Sequence, residues 1–204
     1  MTHKTFFAAI TAFVASFIFG ADVAANDGAY QVVSPDGHLS ATVVVGSDIS
    51  YTVSRDALQL IAPSQISMTL SDGIVFGQDD KVRKVRRDSR DQVWQATVYK
   101  KSDVRDHYNE MTLEFKEFSL TFRAYDDGVA YRFASKLKGD FTVMSEKAEF
   151  AFAKDWDAFI PYVKQHTKTL ETQYFNSFEN TYKEHRLSEW NKARLAFAPL
   201  VVNA

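Results

Sequence analysis

The sequence predicts an all-β fold, an antiparallel sandwich with few short helices, and three observations carry that expectation. Apolar and polar residues alternate in short runs from Tyr30 onward. Turn signals built from Gly, Pro, Asn and Asp recur roughly every 8–12 residues, the spacing of a sandwich or barrel. No long amphipathic helix pattern occurs before residue 160.

The chain has 204 residues, a formal net charge of −2, 17 Phe, 9 Tyr and no Cys. Its first 25 residues read as a cleaved signal peptide. His3 and Lys4 form a polar start, Phe6 to Gly20 is apolar, and Val23-Ala24-Ala25 supplies small residues for a peptidase. The apolar run is shorter than the about 20 residues that span a bilayer, so a retained anchor is the weaker alternative. The absence of cysteine excludes a lipoprotein anchor. The expected mature chain, residues 26–204, is then one β-sandwich, periplasmic or secreted, held by its core rather than by disulfides. The near-neutral charge predicts no nucleic-acid partner, and the mature part no membrane partner.

Short strands are expected at Tyr30–Ser34, Leu39–Val45, Ile49–Ser54, Leu58–Ile61 and Ile66–Leu70. Pro35-Asp36-Gly37 reads as a turn, and Pro63 is expected to close the fourth strand. Residues 79–91 hold six basic residues interspersed with four aspartates, without aromatics. That run reads as a solvated edge strand whose charges discourage pairing. A strand containing Trp94 is expected over Val93–Val98, and another over Met111–Phe115. Between them, Arg105, Asp106, His107, Asn109 and Glu110 form either a turn network or a small polar site.

Ser119–Ser135 reads as a β-hairpin around Asp127-Gly128, a pair suited to the positive φ angles of a type I′ turn. This register opposes Phe122 to Phe133 and Arg123 to Arg132, so a carboxylate from a neighbouring strand is expected between the two arginines. A further strand is expected over Glu146–Phe152 and a last one over Leu195–Val202.

Trp156, Phe159, Tyr162, Tyr174, Phe175, Phe178, Tyr182 and Trp190 then make an aromatic-rich segment mixed with amides and carboxylates. Such a mixture suits sugar rings, whose C–H faces stack while their hydroxyls need directional partners. Packing against a partner domain explains the same composition. Catalytic templates are missing: there is no Gly-x-Ser-x-Gly elbow, phosphate-binding glycine loop or His-Glu-x-x-His helix. Glycosidic carboxylate pairs are defined by distance in space, not by spacing in sequence.

Val33-Ser-Pro-Asp-Gly37, Lys81 to Val85, Tyr99 to Glu110, Phe122 to Phe133 and Asn176 to Tyr182 together resemble the N-terminal domain of glycoside hydrolase family 97. That family includes bacterial α-glucosidases and α-galactosidases. The resemblance implies a β-supersandwich like that of galactose mutarotase, packed on a following (β/α)8 barrel that carries the catalytic carboxylates. It also implies an α-linked glucoside or galactoside substrate and an active-site Ca2+, to which Glu179 would lend one ligand. No catalytic residue is assigned to these 204 residues. The chain is expected to be a non-catalytic N-terminal domain, from a truncated or split gene or free-standing. Two other readings stand beside it. One is a stand-alone carbohydrate-binding module with Trp156, Tyr174, Phe178 and Trp190 as stacking residues. The other is a mutarotase-like epimerase using His107 and Glu110, which a spacing of three on a strand places on opposite faces.

Overall fold

The computed structural model describes residues 28–98, 100–164, 169–175 and 180–204. The signal-like segment therefore lies outside the described residues. The chain forms β1 (Ala29–Val33), β2 (Leu39–Val45), β3 (Ile49–Arg55), β4 (Leu58–Leu70), β5 (Val75–Phe76), β6 (Lys84–Gln95) and β7 (Asp103–Glu114). It continues with β8 (Phe118–Tyr125), β9 (Gly128–Ser135), β10 (Val143–Ala148), β11 (Asp157–Ile160), α1 (Leu170–Gln173), β12 (Lys183–Arg186) and β13 (Val201–Asn203). The first sheet runs β1-β2-β3-β4-β10, with β5 on β4; the second runs β6-β7-β8-β9. A small third sheet is ordered β12-β11-β13. Every strand pair is antiparallel. The expected all-β sandwich is what forms.

Alternation explains why two sheets meet face to face. In β2 and β3, Ala41, Val43, Ile49 and Tyr51 point inward and are almost wholly buried. Met111, Leu113, Leu120, Phe122 and Ala124 of β7 and β8 meet them from the other side. Tyr51 lies 5.8 Å from Phe122, and Phe118 stacks on Phe115 at 4.4 Å and on Phe76 at 4.7 Å. Ala158, Ile160 and Tyr162 form a second, smaller cluster, against which Leu187, Trp190, Ala196, Leu200 and Val202 pack.

The Ser34-Pro35-Asp36-Gly37 turn is closed by Gly37 N donating to Ser34 O at 3.0 Å, with Gly37 at φ 82°. Pro63 does not end a strand. β4 runs on through it because the register slips there: Tyr51 pairs with Ser64 and Val53 with Ile61. The extra residue makes a bulge, so the missing proline N–H costs no ladder hydrogen bond. The two short strands expected on either side are one strand of 13 residues. Similarly, the polar stretch before Met111 is not a turn network but the first half of β7, paired with β6 throughout. The strand expected at Val93 is the end of β6, which is the charged edge strand the sequence suggests.

The central hairpin forms with a shifted loop. Tyr125 pairs with Gly128, so Asp126-Asp127 are the loop residues, and neither takes a positive φ. A tertiary bond accompanies this choice: the Asp126 carboxylate accepts from Asp36 N at 2.9 Å, tying the loop to the first sheet's turn. Phe122 consequently faces Tyr131, and Arg123 faces Ala130 rather than Arg132. Phe122 and Phe133 still share the inner face, because the shift preserves parity. Arg123 instead pairs with Glu110 of β7, on the far side of β8 from β9, so the expected carboxylate does not lie between Arg123 and Arg132.

Phe122 is fully buried between the sheets. Phe122→Ala is expected to lower unfolding free energy by about 3–5 kcal/mol, read from urea denaturation.

Candidate functional site

The outer face of the second sheet is the most organised polar surface. Strand alternation and register place Arg90, Gln92 and Trp94 of β6 there with Asp106, Tyr108 and Glu110 of β7. Thr121, Arg123 and Tyr125 of β8 and Arg132 of β9 continue the same face. Asp106 accepts from Gln92 Nε2 at 3.0 Å and from Trp94 Nε1 at 3.4 Å. Arg123 Nε donates to Glu110 Oε2 at 2.7 Å, and its guanidinium lies 4.2 Å from the Tyr108 ring centroid. That cation–π contact explains how Tyr108 is only 2% exposed on an outward face. Beside it, Thr121, Arg123, Tyr125, Ala130, Tyr131 and Arg132 line a shallow cavity of about 150 Å³.

Hydrogen bonding favours the charged forms of Asp106 and Arg123. The Gln92 hydrogen bond holds the Asp106 carboxyl below its ordinary value; burial opposes this, and bonds from Trp94 and Tyr125 add to it. Burial disfavours charge on Arg123, but hydrogen bonds to Glu110 and Tyr125 outweigh it and raise its pKa. The result is a surface on which Asp106, Glu110 and Arg123 are held by neighbours, beside the exposed Trp94 indole and the exposed Arg132. Trp94, 57% exposed, was not among the stacking candidates, although its alternation with Gln92 and Arg90 was the available signal.

The five polar residues around His107 do not converge. Asp106 and Glu110 lie on the outer face, while Arg105, His107 and Asn109 lie on the inner one. Arg105 makes two 2.8 Å bonds to Asp91. Asn109 donates across to Val33 O at 2.9 Å. His107 Nδ1 lies 3.5 Å from the Asp126 carboxylate. His107 and Glu110 thus face opposite ways, as their spacing requires, and the epimerase reading has no groove in which they meet.

The aromatic segment divides by role. Tyr162 is buried at the centre of the second cluster, where its hydroxyl bonds His185 Nε2 at 2.9 Å and accepts from Asn191 N at 3.0 Å. Trp190 packs edge-on against that ring, and Arg194 lies 4.6 Å over it. Trp156 packs edge-on against Phe152. Trp156 and Trp190 are therefore structural as well as half-buried. Tyr174 and Phe175 follow α1 and are 73% and 93% exposed. Phe178 and Glu179 lie outside the described residues. Among the described residues no three His, Asp or Glu side chains come together to hold a metal ion. These residues do not by themselves suit calcium, which takes roughly six to eight oxygens.

The lowered Asp106 pKa carries a sign. Its stabilising contribution is fully present above the ordinary carboxylate value and is lost as pH falls through the lowered one. Asp106→Asn is expected to flatten that part of the acid limb in urea titrations across pH, leaving the fold intact.

Comparison with known proteins follows the same architecture. A retaining alpha-galactosidase from Bacteroides thetaiotaomicron is 42% identical over 177 residues, covering 86% of this chain and 27% of the relative. A Glycoside Hydrolase Family 97 enzyme from Pseudoalteromonas sp. strain K8, solved with panose, superposes with a TM-score of 0.65 at 24% identity, covering 78% of this chain and 25% of that one. A beta-arabinopyranosidase superposes at 0.64 with 25% identity, over 76% of this chain and 26% of its own. The chain thus spans about a quarter of the length of these relatives. The model of the glycosyl-hydrolase 97 N-terminal family matches residues 32–204, and the chain belongs to that family.

Proposed function

We propose that this chain is a non-catalytic N-terminal β-sandwich of a bacterial α-glycosidase that walls one side of a sugar site. The observation that supports it is the lopsided match to the Bacteroides relative, which accounts for 86% of this chain but 27% of the α-galactosidase. In this reading the reacting carboxylates lie in a (β/α)8 barrel, in cis or from an adjacent gene. Substrate is an α-linked galactoside or glucoside. Glu179 lends one oxygen to a calcium whose other ligands come from the barrel, an arrangement suited to a hard cation. The signal-like residues 1–25 support export to the periplasm or beyond.

The test is turnover of aryl α-galactosides and α-glucosides by the 204-residue chain, with and without calcium. None is expected, and calcium is expected to leave the melting midpoint unmoved, because one carboxylate is too few ligands for tight binding. Turnover that a point change in this chain abolishes would overturn the proposal. When the chain is supplied together with the catalytic part of the Bacteroides relative, Glu179→Gln is expected to raise the calcium requirement for activity by about tenfold or more.

A free-standing carbohydrate-binding module is the second reading, favoured by the exposure of Tyr174 and Phe175. Calorimetric titration with maltooligosaccharides separates the two. Millimolar or tighter binding supports the module, and silence supports the incomplete enzyme.

A further inference from the structure

The two edges of the second sheet are built differently. β6 carries Lys84, Arg86, Arg87, Asp88, Arg90 and Asp91, the kind of charge that keeps an edge from pairing. β9, Gly-Val-Ala-Tyr-Arg-Phe-Ala-Ser, carries Arg132 alone, with no proline. Its register with β8 is unbroken, so no bulge turns the edge away either.

One hydrogen bond sets the phase of that edge. Lys136 N donates to Glu117 O at 2.7 Å, one step beyond the Phe118–Ser135 pair. Glu117–Lys136 is therefore a hydrogen-bonded pair, and antiparallel pairing alternates from there. The N–H and C=O groups of Gly128, Ala130, Arg132 and Ala134 turn toward β8. Those of Val129, Tyr131, Phe133 and Ser135 turn to the open side. Among the described residues, these four have no backbone partner there.

The apolar surface beside this edge is also unfinished. β1 lies over β7 and β8, and β2 over β8 and β9, so the far strands of the first sheet reach past β9. Tyr51 of β3 touches Tyr131 of β9 at 5.8 Å, and Phe150 meets Tyr51 edge-on at 6.5 Å. Beyond them Phe141, Val143, Met144 and Phe150, along β10 and its flanks, are 44%, 43%, 65% and 59% exposed. Arg132 is exposed and has no ion pair among the described residues.

We infer that β9 accepts an added strand from polypeptide outside these 204 residues, apolar at alternate positions and acidic where it meets Arg132. The open N–H and C=O row requires an extended partner, since only a strand matches that spacing. Its inward side chains would cover Tyr131, Phe133 and Phe150, and its outward ones would include the carboxylate. The source is polypeptide of the kind that makes the Bacteroides relative about four times the matched length. The inference needs neither Glu179 nor a sugar, and Arg132, which also lines the outer-face cavity, enters it only through peptide protection, so its test stands apart from the carbohydrate reading.

The experiment uses the 204-residue chain and synthetic peptides of about ten residues, the upper end of usual strand length. The peptides tile the polypeptide that follows the matched region in the Bacteroides relative, and amide exchange is read by NMR. In the chain alone, Val129, Tyr131, Phe133 and Ser135 are expected to exchange faster than Ala130, Arg132 and Ala134. At least one peptide with alternating apolar residues and an acid is expected to slow those four amides by about tenfold or more. Arg132→Glu, on the exposed side of the strand, is expected to remove that protection while the alternation in the free chain persists. If no peptide protects the four amides, or if Arg132→Glu leaves the protection intact, the inference fails. Concentration-dependent protection without peptide, with a dimer in sedimentation, would assign the edge to a second copy and equally overturn it.

Discussion

The structure depends on face-to-face burial of one aromatic layer between two sheets. With no cysteine, the chain has only burial and its backbone ladders to offset the entropy of ordering about 180 residues. Tyr51, Phe76, Phe115, Phe118 and Phe122 lie at the centre of that layer. Each such side chain contributes roughly 1.5–3 kcal/mol on leaving water. The environment is dry enough to push the Tyr51 phenol up to about 12, chiefly by burial and secondarily through Tyr131. Its hydroxyl escapes the cost of isolation by donating to Glu149 O at 2.9 Å.

That constraint decides where the polar chemistry can go. Each strand commits one side to the layer, so every polar residue of opposite parity is sent outward. On β7 this splits a polar sequence run in two. Asp106 and Glu110 join Arg123 and Trp94 outside, while Asn109 crosses the interface to hold the β1 carbonyl of Val33. On that face Asp106, Glu110 and Arg123 are hydrogen-bonded to neighbours, while Arg132 stays exposed without an ion pair among the described residues.

The carboxyl-terminal segment follows different physics. Its sheet has short strands, and its order rests on one buried phenol, Tyr162, contacted by His185, Asn191, Trp190 and Arg194. Gln173 adds a second tie, donating to Ala193 O and accepting from Leu195 N. These side-chain bonds link pieces of chain that have little regular pairing of their own. An aromatic-rich composition there marks a cluster organised around one ring, with Tyr174 and Phe175 left facing water.

By itself the sequence determined the all-β class, most strand positions and the inward parity of the central hairpin, because period-two alternation is a local property. It also carried the family resemblance, spread over segments from Val33 to Tyr182 in order. The tertiary structure decided what depends on partners distant in the chain. Asp126-Asp127 became the hairpin loop where Asp127-Gly128 was expected, and there Asp126 bonds Asp36 on the facing sheet. Pro63 stayed inside β4 because a bulge against β3 absorbs it. Trp156 and Trp190, sugar-stacking candidates by composition, each pack edge-on against another ring, Phe152 and Tyr162. Alternation says which way a side chain points; only the assembled sheets say what it meets.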